Sequence, residues 1–126
     1  MLRKFFAFAA LTLAATVAVA QAAKPFIGTW KAEWETDKHE YDAEVVINES
    51  GGSWKTFVSR GNNPCAGREV PLQFDNNSER SLSMTLKFSD VIPGCKNVRV
   101  KLELDGDGRV IGKRSDYELK LTRKSN

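Results

Sequence analysis

The chain reads as an all-β domain, a small eight-stranded antiparallel up-and-down barrel. Three observations predict it. Short runs of alternating apolar and polar residues recur from Gly28 to Arg123, turn-forming residues separate them, and no stretch beyond residue 22 carries a sustained helical period. Each connection is short enough to join sequence neighbours, so a meander is the simplest topology, and closing it hides the edge strands.

The elements follow in order. Met1-Leu2-Arg3-Lys4, an apolar run from Phe5 to Val19 and the small residues Ala18-Val19-Ala20-Gln21-Ala22-Ala23 have the layout of a secretory signal peptide. Cleavage after Ala20 or Ala22 satisfies the A-x-A rule. The expected division is residues 1–22 as leader and 23–126 as one barrel domain. The apolar run falls short of the roughly 20 residues that span a bilayer, so no membrane anchor is expected.

In the first strand Trp30, Ala32 and Trp34 share one face, with Lys31, Glu33 and Glu35 on the other. After a polar loop at 36–40, Tyr41, Ala43, Val45 and Ile47 form the inward face of the second. Asn48-Glu49-Ser50-Gly51-Gly52 turns the chain into a third strand, with Trp54, Thr56 and Val58 inward, that ends near Arg60. The loop at 61–68 leads to Val70, Leu72 and Phe74, where Pro71 signals an edge or weakly paired position. A turn from Asp75 to Arg80 precedes Leu82, Met84, Leu86 and Phe88, and a long loop at 90–97 precedes Val98, Val100, Leu102 and Leu104. Asp105-Gly106-Asp107-Gly108 is a hairpin turn. The seventh strand is expected around Arg109 to Lys113. Arg114-Ser115-Asp116 then turns into Tyr117, Leu119 and Leu121, the inward face of the eighth.

In a meander alternate connections lie at the same end. The loops holding Cys65 and Cys95 therefore share one end with the His39 loop and the Arg114 turn, while the tight turns lie at the other. Two cysteines allow one intramolecular pairing, and export to an oxidising compartment favours a Cys65–Cys95 disulfide. Loss of the leader removes Arg3 and Lys4, leaving 17 basic side chains against 16 acidic ones. That balance argues against a nucleic-acid partner.

Phe26-Ile27-Gly28-Thr29-Trp30-Lys31 resembles the F-x-G-T-W-K opening of fatty-acid-binding proteins and the G-x-W start of lipocalins and avidins, together the calycins. In that group the motif begins the first strand and its Trp packs across the closed end of the barrel, which implies the same for Trp30. Lipocalins cover that Trp with a basic residue, and the resemblance assigns this role to Arg123. Ser115-Asp116-Tyr117 is similar to the lipocalin T-D-Y motif. The helical lid of fatty-acid-binding proteins is missing, as is their paired Arg-x-Tyr, since Arg114 and Tyr117 are three apart.

Trp34, Tyr41, Phe88 and Tyr117 are expected to crowd the loop end, ringed by His39, Asn62, Asn63, Arg68, Lys96 and Arg114. Polar-tipped aromatics ringed by such loops suit a mouth for a small apolar or amphipathic ligand, or else they plug a filled barrel. The alternative is a protein-interaction or inhibitor module. Ser50-Gly51-Gly52-Ser53-Trp54 resembles the S-G-x-x-Y loop of exported barrels that inhibit lysozymes, although their Y-x-x-x-T-K-G motif is absent. The lone His39 among Asp37, Glu40 and Asp42 falls short of the three or four ligands a metal needs. No nucleophile elbow, phosphate loop or H-E-x-x-H motif occurs. The expectation is an exported, periplasmic or secreted monomer, non-catalytic and without a cofactor.

Overall fold

Side chains alternate across an extended chain, so each of eight segments acquires one face to bury and one to hydrate. The computed structural model describes residues 23–58 and 63–125, and in it all eight faces are satisfied at once. The strands are β1 (Gly28–Glu35), β2 (Glu40–Ile47), β3 (Gly52–Thr56), β4 (Glu69–Asn77), β5 (Ser81–Leu86), β6 (Val98–Leu104), β7 (Val110–Arg114) and β8 (Tyr117–Ser125). Each pairs antiparallel with the next, and β8 returns to β1, closing the barrel. The leader expected at 1–22, and Arg60 and Asn62, lie outside the described residues.

The interior is packed through its middle. Val45, Ile47, Trp54, Val70, Leu82, Met84, Leu86, Val100 and Leu102 are essentially without solvent contact. Each such side chain stabilises the fold by about 1.5–3 kcal/mol relative to exposure. Two glycines are set by close approach. A Cβ on Gly52 would lie 1.8 Å from the Val46 carbonyl oxygen, and one on Gly112 would lie 2.8 Å from Leu102 Cδ2.

Several boundaries differ from the sequence expectation. The third strand stops at Thr56, because the Gly67 N–H takes the Thr56 carbonyl at 2.7 Å, and Phe57 and Val58 turn outward. The fourth strand runs on to Asn77 through a bulge between Phe74 and Asn76. The fifth ends at Leu86. Lys87 leaves the extended region, and Phe88 opens a 3₁₀ turn (Phe88–Asp90) yet stays buried. The seventh is displaced by one residue and includes Arg114. Pro71 marks no edge. Its carbonyl accepts the Lys87 N–H at 2.9 Å, and the Lys87 carbonyl, which a Pro71 N–H would have met, accepts Asp90 N–H instead.

The eighth strand changes partner along its length. Tyr117–Leu119 pair with β7, and Lys120 onward pairs with Thr29–Glu33 of β1. The β1–β8 ladder therefore stops at Glu33, short of Trp34 and Glu35. Here Leu119 is buried and Leu121 half-buried, but Tyr117, expected inward, is 41% exposed.

The two ends of the barrel are built differently. At the tight-turn end, a 3₁₀ turn (Lys24–Phe26) places Phe26, with no solvent contact, across the opening. Trp30 Nε1 donates to the Phe26 carbonyl at 2.9 Å, and the Arg123 guanidinium lies 4.1 Å above the Trp30 ring. Arg123 Nη1 donates to the Ile27 carbonyl at 2.7 Å and Nη2 to the Pro25 carbonyl at 3.0 Å. At the other end, the β3–β4 and β5–β6 loops are joined by the Cys65–Cys95 disulfide. With the two cysteines 30 positions apart, that bond stabilises by about 3–4 kcal/mol in the chain-entropy model.

Candidate functional site

The loop end holds a cavity of about 270 Å³. Its floor comes from strand positions whose alternation turns them inward. Trp34 on β1 stacks on its cross-strand neighbour Tyr41 on β2, with ring centroids 5.4 Å apart and planes 17° from parallel. Trp54 on β3 lies tilted beneath Trp34 at 5.6 Å, and its Nε1 donates to the Thr56 hydroxyl at 2.9 Å, so both buried polar groups are satisfied. The disulfide-bonded loops supply the walls, with Asn63, Cys65 and Lys96 joined by Phe88, Val98 and Thr36.

Arg114 is the distinctive member of this lining. It is the last residue of β7, and its guanidinium carbon lies 4.7 Å from the Trp34 ring and 6.0 Å from that of Trp54. A planar cation on an indole face is favourable, more so where water is excluded. Burial nevertheless pulls the Arg114 pKa below its ordinary range, an effect that Tyr41 partly opposes. Arginine keeps its proton in proteins, so burial penalises the charged form throughout the neutral pH range instead of removing the charge. Its Nε is buried and has no hydrogen-bond partner, and among the described residues no carboxylate forms an ion pair with it.

Five of the nine ligand-site residues singled out from the sequence line this cavity: Trp34, Tyr41, Phe88, Lys96 and Arg114. Of the other four, three stand apart. His39 is exposed, its ring 6.0 Å from that of Tyr41 and edge-on to it. Arg68 points to the loops and donates to the Val91 carbonyl at 3.2 Å, tying together the two segments that the disulfide joins. Tyr117, opposite Arg114 at the start of β8, is exposed at the rim and does not line the cavity, and Asn62 lies outside the described residues. Thr36, Thr56, Cys65 and Val98 were not foreseen as lining. Thr56 and Val98 read simply as core, and Thr36 as loop.

Outside the barrel, where the β1–β8 ladder has stopped, a groove shares Trp34 and Tyr41 with the cavity. It carries Glu33, Glu35, Glu40, Asp42, Asp116 and Glu118, with Lys120 the one cation among the described residues that line it. The Trp34–Tyr41 stack thus stands between a carboxylate-lined exterior and a cavity lined, among the described residues, by two cations and no carboxylate. Among the described residues no three His, Cys, Asp or Glu side chains converge on a metal position. The Asp105 turn is held internally, with Asp105 Oδ1 accepting the N–H of Asp107 at 2.8 Å and of Arg109 at 2.9 Å.

No protein-family model, curated protein or solved structure matches the chain. Among the described residues no helix is long and apolar enough to cross a membrane.

Proposed function

We propose that this is an exported, non-catalytic binding protein of calycin-like kind that holds a small amphipathic molecule at its disulfide-pinned end. The observation that carries the reading is the cavity. Three aromatic rings, Trp34, Tyr41 and Phe88, line it together with polar groups from Thr36, Thr56, Asn63, Lys96 and Arg114. Apolar walls with a few placed polar groups are what a small-molecule site requires. The G-T-W opening, with Arg123 over Trp30, supports the calycin comparison, and the disulfide supports an oxidising compartment.

A protein partner is the second reading, favoured by the acidic groove and the exposed Tyr117 beside it. Charge complementarity there suits a cationic protein surface. The segment that resembles a lysozyme-inhibitor loop offers less, because Trp54 has no solvent contact.

Native mass spectrometry of mature protein taken from its own compartment tests the first reading. The expected result is a mass two hydrogens below the reduced chain with a stoichiometric small-molecule adduct. A disulfide-bonded chain without adduct, whose tryptophan emission ignores a panel of hydrophobic probes, would move the function to the protein-binding face.

A further inference from the structure

The cavity's charge is unbalanced in a way that the fold does not need. A guanidinium shielded from water is costly unless a counter-ion or a full set of hydrogen bonds meets it. Arg123 meets that condition with two carbonyls. Arg114 does not: its Nε is buried without a partner, two indoles take its face, and among the described residues no ion pair reaches it. Lys96 adds a second positive charge to the same lining, and no Asp or Glu lines the cavity. The carboxylates that share Trp34 and Tyr41 with this cavity line the exterior groove instead.

Resting on the small-ligand reading above, we propose that the ligand is a small organic carboxylate whose anionic group is held by Arg114, with Lys96 at the entrance and its flat apolar body between Phe88 and the Trp34–Tyr41 stack. The anion supplies the hydrogen-bond acceptors that this chain withholds from Arg114. The size follows from the volume. About 270 Å³ corresponds to roughly nine waters at about 30 Å³ each. The body is therefore on the order of ten to fifteen non-hydrogen atoms, which excludes long acyl chains and large cofactors. Entry runs between Asn63 and Lys96, on the disulfide side, because the opposite flank would repel an anion.

Three probes of matched shape decide it: naphthoate, naphthalenemethanol and naphthylmethylamine, titrated calorimetrically into the mature, disulfide-bonded protein. The wild type is expected to bind naphthoate roughly tenfold or more tightly than the alcohol, and the amine weakest. Arg114→Gln should bring naphthoate down to the alcohol's affinity while leaving the alcohol itself within about twofold, with Arg114→Lys intermediate. Equal binding of acid and alcohol by the wild type, a measurement that needs no variant, overturns the carboxylate assignment and leaves the cavity reading intact. Naphthoate preference that survives in Arg114→Gln overturns the role of Arg114. Failure of all three probes to bind overturns both the assignment and the reading beneath it.

Discussion

Both ends of the barrel place an arginine over a tryptophan, and the two pairs are not equivalent. Arg123 lies 4.1 Å from Trp30 with its donors spent on the Ile27 and Pro25 carbonyls. It is exposed to solvent and fastens the 3₁₀ turn across the opening. Arg114 lies 4.7 Å from Trp34, half-buried, with its Nε buried and unpartnered. The same two residue types make a latch where backbone carbonyls are in reach and, on the proposal above, a recognition group where no such contact forms among the described residues. What separates a structural cation from a binding one here is its acceptors, not its aromatic neighbour.

The sharpest break in that comparison comes from the disulfide, which only the loop end possesses. Replacing both cysteines with serine, or reducing the bond, should lower unfolding stability by about 3–4 kcal/mol, read from denaturant midpoints. It should also weaken naphthoate binding, because Cys65 and Lys96 line the cavity.

A pair of methionine substitutions sharpens the contrast. Arg123→Met keeps an apolar stem over Trp30 but loses the two carbonyl contacts, and is expected to cost about 1–3 kcal/mol with little change in probe binding. Arg114→Met removes a poorly paired buried charge. Its stability should change by no more than about 1 kcal/mol, in either direction, while the preference for naphthoate over the alcohol disappears. If Arg114→Met proved the more destabilising of the two, the division of roles would be reversed.

The smallest effect lies at the tight-turn end. Backbone N–H groups of Arg109 and Asp107 stabilise the Asp105 carboxylate and lower its pKa from the ordinary value. Its folded-state pKa is below its unfolded one, so its contribution is present above the usual carboxylate range, near pH 4, and is lost as the pH falls through the lowered value. Asp105→Ala should therefore flatten the acid limb of the stability profile slightly and leave probe binding unchanged.

Most of the barrel was legible because a period of two survives in strands with one wet face. Trp30-Ala32-Trp34 and Leu82-Met84-Leu86 declare which way they face with no other information. The misreadings share a cause, since alternation reports polarity and not direction. Phe57 and Val58 look like strand and point to solvent, whereas Tyr117 looks like core and is exposed. Around β7 the inward position at Gly112 has no side chain to announce it, and the apolar Ile111 beside it faces out, so the strand was placed one residue early. Arg114 was legible as a member of the loop end, but that single step made it read as a turn residue, and it is instead the last inward position of β7. The Cys65–Cys95 pairing needed only parity, but the cavity between their loops depends on how far Phe88, Val98 and Trp34 reach. Sequence spacing does not report that.

The seam between β1 and β8 also bears on when this chain can be folded. Trp30 sits opposite Arg123, and Thr29 opposite Ser125, so the closing ladder joins nearly the first described strand residue to the last. Contacts so distant in sequence are entropically late. A chain that emerges N-terminal end first, from a ribosome or through a membrane, can assemble β1 to β7 as local hairpins, but the outer edge of β1 has no partner until the final strand is released. Until then β1 and its two tryptophans present an open edge, and the ring closes as a post-release event.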